Sequence, residues 1–157
     1  MTTITIRQVG SLEVEALIPL LLQAEESEAR LRWGLANLDD AVYRMDDGGE
    51  LIGAATMQWR NDPCEIMELA IAPERQGHGL GKQFVAWLAD EARRRGKSAV
   101  LVGTANASID NLAFYQRCGF RMEQVRKDYF SYYREPVYEN GIQLRDMLVF
   151  RYDLLGK

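Results

Sequence analysis

Three glycines occupy alternate positions in the stretch "PERQGHGLGK", at Gly77, Gly79 and Gly81. The stretch follows an apolar, strand-like run and precedes a segment with helical spacing. A glycine-rich turn that opens a helix can bind an anion, because the first helical N–H groups lack partners within the helix and the dipole is positive there. A plain turn would explain one glycine in a left-handed conformation but not three at alternate positions. The spacing therefore favours a phosphate-binding loop.

Two common phosphate-binding patterns do not fit this loop. In the Walker A pattern, Gly81-Lys82 would be the end, but Gln76 stands at the first glycine position and Gln83 follows the lysine. The dinucleotide pattern Gly-x-Gly-x-x-Gly fails because Lys82 stands at its last position. The next apolar run, "AVLVGTA", ends in neutral residues and offers no acid to hold a ribose.

The elements around the loop follow in the order strand, helices, three strands, helix, strand, helix, two strands. Their segments are "TITIRQV", helical pieces up to Leu35, the hairpin "AVYRMDDGGELIGAATMQWR", "CEIMELAIA", the helix from Leu80 to Gly96, "AVLVGTA", "SIDNLAFYQRCGF", and strands at Phe120–Asp128 and Leu144–Tyr152. The last two strands are separated by a predicted loop, "YFSYYREPVYENG".

This order predicts an α/β (α+β) fold in one domain, residues 1–157. The central strand–helix–strand unit requires a right-handed crossover and parallel pairing. The hairpin-like ends indicate antiparallel pairing, so we expect a mixed, mostly antiparallel sheet of six to seven strands with helices on both faces. The 157 residues contain no repeat and no linker.

The composition excludes several classes of function. The net charge of −4 argues against a nucleic-acid-binding protein. Cys64, Cys118 and a single histidine form no metal-binding pattern, so we expect no metal. The first residues show no signal-peptide pattern, and the short apolar patch "LIPLLL" contains Pro19. We therefore expect a cytoplasmic protein without a membrane partner.

Two linked motifs resemble those of the GNAT superfamily, the acetyl-CoA-dependent N-acyltransferases. Gln76, Gly79 and Gly81 match Gln/Arg-x-x-Gly-x-Gly/Ala, and "NLAFYQRCGFR" is similar to the family's aromatic-Tyr pair followed by Gly-Phe. The resemblance covers about Leu51 to Arg121 and implies a GNAT-like sheet with a central parallel strand pair. Together with "YENGIQLRDM" it resembles a bacterial branch of the family whose substrates are unknown.

The resemblance implies acetyl-CoA as the cosubstrate and assigns residues to it. The strand residues Leu69, Ala70 and Ile71 would pair with the pantetheine arm, and the loop would wrap the pyrophosphate. The loop residues are Gln76, Gly77, His78, Gly79, Leu80, Gly81 and Lys82. Family members often have an asparagine where Ser108 stands. Asn106 would take that role here, or Ser108 would bind or simply cap the helix, and Asn111 is a weaker candidate.

The same resemblance implies direct attack of an amine on the thioester in a ternary complex. Tyr115 matches the family's general-acid tyrosine, although a packed aromatic residue is the alternative. Glu68 is the preferred base, acting through water, and strand alternation predicts that Glu65 lies on the opposite face. Some relatives, including ribosomal-protein acetyltransferases, carry a glutamate where this chain has Gly103. The other acids, Glu25, Glu26, Glu28 and Glu139, are predicted to be surface charges.

We therefore predict an N-acetyltransferase that acts on a primary amine of a small molecule or peptide. A non-catalytic acyl-CoA-binding module with an idle Tyr115 and a nucleotide-phosphate protein are the alternatives. A homodimer through the late aromatic loop or the last strand is also predicted. Some aromatic residues could wall an acceptor pocket, although packing is the commoner use: Trp33, Trp59, Tyr132, Tyr133 and Tyr138.

Overall fold

A computed structural model describes residues 3–25, 27–37 and 41–155. The strands are β1 (Ile4–Gln8), β2 (Ala41–Asp47), β3 (Glu50–Gln58), β4 (Cys64–Ile71), β5 (Ala99–Ala105), β6 (Arg121–Arg126), β7 (Tyr138–Glu139), β8 (Ile142–Gln143) and β9 (Met147–Asp153). The α-helices are α1 (Val14–Leu21), α2 (Glu28–Asn37), α3 (Leu80–Arg94) and α4 (Ile109–Arg117). Short 3-10 turns lie at Ser11–Glu13 and Pro73–Arg75.

Seven of the strands form one sheet in the order β1-β2-β3-β4-β5-β9-β6. Only the central pair, β4 and β5, is parallel, and the other described neighbours in the sheet are antiparallel. Because α3 connects this pair, the predicted crossover unit is confirmed. The predicted mixed, mostly antiparallel α/β sheet is confirmed with it.

The helices cover both faces of the sheet, as the two larger core clusters show. Ala54 packs with residues of α1 and α2, whereas its neighbour Ala55 packs with residues of α3 and α4. Adjacent strand residues point to opposite faces, so α1 and α2 lie on one face and α3 and α4 on the other. Of the apolar residues that predicted α3 from their spacing, Phe84, Leu88 and Ala92 are fully buried and Leu80 is partly buried.

The parallel pair is short. Strands β4 and β5 are paired only at Cys64↔Val100, Glu65↔Leu101 and Ile66↔Val102. Immediately afterwards the register between β3 and β4 shifts, with Met67 as the extra residue. A bulge bends its strand and increases its twist. The second half of β4 therefore parts from β5, and a cleft opens in the middle of the sheet.

The late segment contains a hairpin where the sequence predicted only a loop. Strands β7 and β8 pair at Tyr138↔Gln143 and Glu139↔Ile142, and the chain turns at Asn140 and Gly141 with φ of 56° and 75°. Two consecutive positive φ angles are typical of the type I′ turn, for which Asn-Gly is the preferred pair. The stretch "ENGI" in the sequence therefore already contained the signal for this hairpin turn.

Gly103 on β5 leaves room for a side chain of the neighbouring strand. A β-carbon built at this position would overlap with the sulfur of Met147 on β9 and lie 3.0 Å from its γ-carbon. The Met147 side chain thus occupies the space that a β5 side chain would need. This contact gives a physical reason for the glycine at a position where some relatives carry a glutamate.

We expect Gly103→Ala to force the flexible Met147 side chain to shift and to lower the free energy of unfolding by at most about 1–3 kcal/mol, the usual cost of overpacking. In a Met147→Ala background the same substitution should be less destabilising, because the overlapping side chain is gone. Denaturant unfolding of the four proteins of this double-mutant cycle measures the coupling. Additive effects of the two substitutions would contradict the contact.

Candidate active site

The glycine loop between β4 and α3 has the conformation that its sequence requires. Gly77 and Gly79 have φ of 81° and 79°, in the left-handed region that favours glycine. Gly81 is needed for a different reason, because a β-carbon there would lie 3.1 Å from two ring atoms of Phe114 on α4. The three glycines therefore allow two left-handed turns and one close contact between helices.

Side chains of the loop brace its backbone. The Gln76 side-chain amide donates to the Ile71 carbonyl at 2.9 Å, and His78 Nδ1 lies 3.2 Å from the Arg75 carbonyl oxygen. The Arg75 guanidinium forms ion pairs with Asp47 at 2.7 Å and with Glu50 at 3.0 Å. These contacts connect the loop to the end of β4 and to the β2–β3 hairpin.

The braced loop presents main-chain N–H groups at the start of α3. The first turn of α3 is closed by a hydrogen bond from Gln83 N to Gly79 O at 3.1 Å. The amides of Leu80, Gly81 and Lys82 precede this bond and have no intrahelical acceptor. The Lys82 side chain is exposed beside them. This arrangement is that of a helix N-terminus able to bind an anion.

The edge of β4 that leads to the loop is open towards β5. Leu69, Ala70 and Ile71 pair with β3 on one side. On the other side the described pairing with β5 ends at Ile66. An unpaired strand edge offers alternating N–H and C=O groups to an extended ligand. The open edge therefore runs from the centre of the cleft to the amides at the start of α3.

A cavity of about 310 Å³ lies at the cleft. Its walls come from the α1–α2 segment, β4, β5, the start of α4, and the segment from β6 to β9. The lining residues include Glu25, Arg30, Trp33, Glu65, Glu68, Gly103, Thr104, Ser108, Asn111, Tyr129, Phe130, Tyr132, Tyr133, Glu139 and Met147. Residues far apart in the sequence thus converge where the two parallel strands part.

Glu65 and Glu68 both line this cavity, so the prediction that they lie on opposite faces is wrong. Glu65 pairs with Gln58 on β3 and Glu68 pairs with Thr56. Gln58 and Thr56 are two residues apart and share a face of the sheet. The bulge at Met67 supplies the extra residue that brings the two glutamates to the same face.

The two glutamates have different surroundings. The Thr56 hydroxyl donates a hydrogen bond to Glu68 Oε1, and the Glu68 amide donates to Thr56 Oγ1 at 3.0 Å. Glu68 is therefore held in position by a buried neutral side chain. Burial raises the pKa of Glu65, and the charge of Arg126 only partly opposes this effect. Glu65 thus keeps its proton to a higher pH than an exposed glutamate does.

Tyr115 lies in the aromatic core on the α3–α4 face of the sheet and is not one of the residues that line the cavity. It is 6% exposed, and its ring centroid is 4.9 Å from that of Phe114, 5.5 Å from that of Phe120 and 6.5 Å from that of Phe150. Burial raises the pKa of the phenol, which is therefore protonated at neutral pH. These contacts are those of a packed aromatic residue, which was the alternative interpretation of Tyr115. The role of Tyr115 as a general acid stays a prediction.

Asn106 acts as a brace of the chain between β8 and β9. Its Oδ1 accepts hydrogen bonds from the amides of Arg145 at 2.9 Å and Asp146 at 3.0 Å, and its Nδ2 donates to the Gln143 carbonyl at 3.1 Å. The side chain that was predicted to contact pantetheine is thus engaged with this segment. Its predicted role in cofactor binding is untested.

Ser108 connects the start of α4 to the β7–β8 hairpin. Its hydroxyl donates to Glu139 Oε1 at 2.7 Å and makes no capping bond to α4, so the alternative of a side-chain cap is wrong. Asn140 adds a second contact by donating to the Ala107 carbonyl at 3.0 Å. The hairpin therefore places Glu139 in the cavity beside Ser108 and the exposed Asn111.

Other acidic candidates fall into two groups. Glu25 and Glu139, which the sequence predicted to be surface charges, line the cavity. Glu28 forms an ion pair with Arg32 at 2.8 Å on α2. Glu26 lies outside the described residues. The position of Glu139 could not be read from the sequence, because the hairpin is held at the cavity by residues that are distant in the sequence, Asn106, Ala107 and Ser108.

Some of the predicted aromatic residues line the cavity and others do not. Trp33, Tyr132 and Tyr133 line the cavity together with Tyr129 and Phe130, which were not predicted. Trp59 instead donates to the Tyr43 hydroxyl at 3.0 Å, and Tyr138 is 62% exposed. The late aromatic loop therefore contributes to the cavity wall.

Thr104 is a cavity residue that the sequence reasoning missed. It is 5% exposed, and its hydroxyl is buried without a hydrogen-bond partner among the described residues. A buried unpaired hydroxyl is costly and rare. The available signal was a threonine at the end of the otherwise apolar run "AVLVGTA".

The described part of the chain contains no cluster of three or more His, Cys, Asp or Glu placed to hold a metal ion. No helix in it is long and apolar enough to cross a membrane.

Comparison with known proteins identifies the family. Residues 10–120 match the model of the acetyltransferase (GNAT) family. The chain belongs to this family. A Bacillus subtilis protein named as an uncharacterized N-acetyltransferase, YvbK, is 38% identical over 109 residues, which cover 68% of this chain and 70% of that protein. The predicted family and the predicted enzyme class, an acyltransferase, are confirmed.

Solved structures confirm the fold. An IAA acetyltransferase from Bacillus cereus has a TM-score of 0.85 and 34% identity, covering 96% of this chain and 99% of that chain. A GNAT family acetyltransferase from Elizabethkingia anophelis with acetyl-CoA bound has a TM-score of 0.85 and 29% identity. The match covers 96% of this chain and 97% of that chain. The seven-stranded sheet with one parallel pair is thus the GNAT fold.

The loop conformation leads to a prediction for Gly79→Ala. A non-glycine residue at this positive φ costs about 1–3 kcal/mol, so we expect lower stability or a reshaped loop. We also expect weaker binding of coenzyme A, because the amides at the start of α3 would be displaced. Thermal unfolding and titration calorimetry with CoA measure the two effects. Gly10→Ala is the control, since Gly10 has φ of −83° and no atom within 4 Å of a built β-carbon. Equal CoA affinity of the two variants would contradict a role of the loop amides.

The buried carboxyl of Glu65 leads to a prediction for stability. Because its pKa in the folded protein is raised above the unfolded value, the folded state binds more protons between the two pKa values. The free energy of unfolding should therefore fall as the pH rises through this window. We expect Glu65→Gln to remove this part of the decline, in denaturant unfolding between about pH 4 and 8. Glu123→Gln, on the exposed edge strand β6, is the matched control. Parallel pH profiles of wild type and Glu65→Gln would contradict the raised pKa.

Proposed function

We propose that this chain transfers the acetyl group of acetyl-CoA to a primary amine by direct attack in a ternary complex. The observation that carries the proposal is the parting of β4 and β5 after Ile66. The resulting cleft has the anion-binding amides of α3 at one end and a cavity with two glutamates at the other. The GNAT family membership and the acetyl-CoA-bound relative support the choice of cosubstrate.

The open edge of β4 and the glycine loop would hold the cofactor. The amides of Leu80, Gly81 and Lys82 at the start of α3 would bind an anion, and a pyrophosphate suits this position. The edge of β4 at Leu69–Ile71, apart from the Ile71 carbonyl that accepts from the Gln76 side chain, suits the amide groups of a pantetheine arm. Bound acetyl-CoA supplies an electrophilic thioester carbonyl. The side chains of Gln76 and His78 act on the loop backbone, and Asn106 acts on the β8–β9 connection.

Glu68 is the proposed base. The Thr56 hydroxyl fixes its carboxylate at the wall of the cavity, where it would accept a proton from the acceptor ammonium through water. Glu65 shares the face and, because its pKa is raised, would be the stronger base when ionised. We assign the proton transfer to Glu68 because its carboxylate is held in position.

Tyr115 is the proposed acid that protonates the departing thiolate. Burial keeps its phenol protonated at neutral pH, as a proton donor requires. The same burial makes the phenol a weaker acid than in water. A non-catalytic acyl-CoA-binding module, in which Tyr115 only packs against Phe114, Phe120 and Phe150, is therefore the second candidate.

Substitution of the two proposed catalytic residues tests this mechanism. We expect Glu68→Gln and Tyr115→Phe each to lower kcat about 10²–10⁴-fold, the usual contribution of a positioned acid or base. The assay is thiol release from acetyl-CoA with a panel of primary amines, and calorimetry with CoA should show near-normal binding. Glu123→Gln is the control. If the turnover of Tyr115→Phe were unchanged, Tyr115 would have only a packing role. If wild type turned over none of the amines, the acyl-CoA-binding module would be favoured.

A further inference from the structure

We propose that Thr56 is a positioning residue of the acetyl transfer and that it acts on catalysis only through the proposed base, Glu68. This inference rests on the proposed function and deepens it by assigning a second residue to the proton-transfer step. The Thr56 hydroxyl donates a hydrogen bond to Glu68 Oε1, and its oxygen accepts one from the Glu68 amide at 3.0 Å. One hydroxyl thus contacts both the carboxylate and the main chain of the same residue.

This contact joins β3 and β4 at the point where their register changes. Thr56 is the cross-strand partner of Glu68, and the next pair, Met57↔Ile66, leaves Met67 unpaired. Residues that face each other in an antiparallel pair share a face and lie within side-chain reach. The hydrogen bond from the Glu68 amide to Thr56 Oγ1 therefore fixes the main chain directly after the bulge, at the residue whose side chain lines the cavity.

Thr56 lies where water cannot replace its hydroxyl. The side chain is fully buried on the sheet face that it shares with Ala54, against which residues of α1 pack. A hydroxyl that both donates and accepts has a fixed orientation, because rotation about its C–O bond would break the hydrogen bond that it donates. The β-branched side chain also restricts χ1. The donor that Thr56 offers to Glu68 is therefore preorganised by the fold.

Glu65 shows that this arrangement is particular to Glu68. Glu65 lines the same cavity, but its carboxyl accepts no hydrogen bond from the described residues. Its cross-strand neighbour on β3 is Gln58, whose side-chain oxygen accepts from the Asn61 amide at 2.7 Å. Of the two glutamates on this face, strand β3 thus supplies a side-chain donor to Glu68.

The consequence for catalysis follows from how a general base works. A base contributes only when its carboxylate is within reach of the proton that it accepts. Without the Thr56 donor, the Glu68 carboxylate loses one of the contacts that hold its rotamer, so fewer molecules have it in position for proton transfer. The glycine loop and the β4 edge at Leu69–Ile71 do not include Thr56. Cofactor binding should therefore be retained when the hydroxyl is removed.

The first experiment separates proton transfer from cofactor binding. Valine has nearly the shape of threonine but no donor, and we expect Thr56→Val to lower kcat about 10–100-fold, the usual worth of a hydrogen bond to a charged group. The dissociation constant of CoA should change less than about threefold, since the lost contact acts in the transition state. Thiol release from acetyl-CoA with the panel of primary amines and titration calorimetry with CoA measure the two quantities.

The matched variants of this experiment distinguish the hydroxyl from the packing of the side chain. Thr56→Ser keeps the hydroxyl and should retain kcat within about threefold of wild type, because only the restriction of χ1 is lost. Thr56→Ala also lacks the hydroxyl and is measured in parallel, so that the comparison does not depend on one variant folding. Thr5→Val, the same substitution on the exposed edge strand β1, is the control. Wild-type kcat in Thr56→Val or Thr56→Ala, or an equal loss in Thr56→Ser, would overturn the inference.

The second experiment tests whether Thr56 acts through Glu68. In a Glu68→Gln background the proposed base is already absent, so Thr56→Val should lower kcat less than about twofold further. An equal loss of kcat in both backgrounds would show a purely structural role and overturn the inference. If wild type acetylated none of the amines, the proposed function would fail and the role of Thr56 with it. Wild-type turnover that Thr56→Val retains would contradict the role of Thr56 alone.

Discussion

The backbone pairing between β4 and β5 stops after Ile66 and Val102, and the functional architecture depends on that interruption. Continuous pairing would satisfy the strand edges and close the sheet. Because the strands part, Leu69–Ile71 keep an unpaired edge and the sheet gains an opening at its centre. The bulge at Met67 contributes twice, since it bends β4 away and brings Glu65 and Glu68 to one face.

The glycine loop and the cavity occupy opposite ends of this opening and are built by different means. The loop depends on local conformation, with left-handed turns at Gly77 and Gly79 and a short distance between Gly81 and Phe114. The cavity depends on distant segments, since the β7–β8 hairpin is held there by contacts with Asn106, Ala107 and Ser108. A local feature thus builds the loop, whereas long-range packing builds the cavity.

This difference also explains what the sequence could predict. The loop, α3 and the order of the strands follow from spacing and glycine positions within short windows, and the structure agrees. The shared face of Glu65 and Glu68 was missed because a single inserted residue reverses strand alternation, and the apolar run around Met67 carries no sign of it. Glu139 was missed because nothing local connects it with the cavity. The turn at Asn140-Gly141 was readable from the Asn-Gly pair.

The space above Gly103, filled by Met147, constrains how this chain could diverge. A larger side chain at this position of β5 would require the Met147 side chain to move aside or to become smaller. The two positions are therefore expected to be coupled in evolution, so that a larger residue at position 103 is accepted together with a rearranged or smaller residue at position 147.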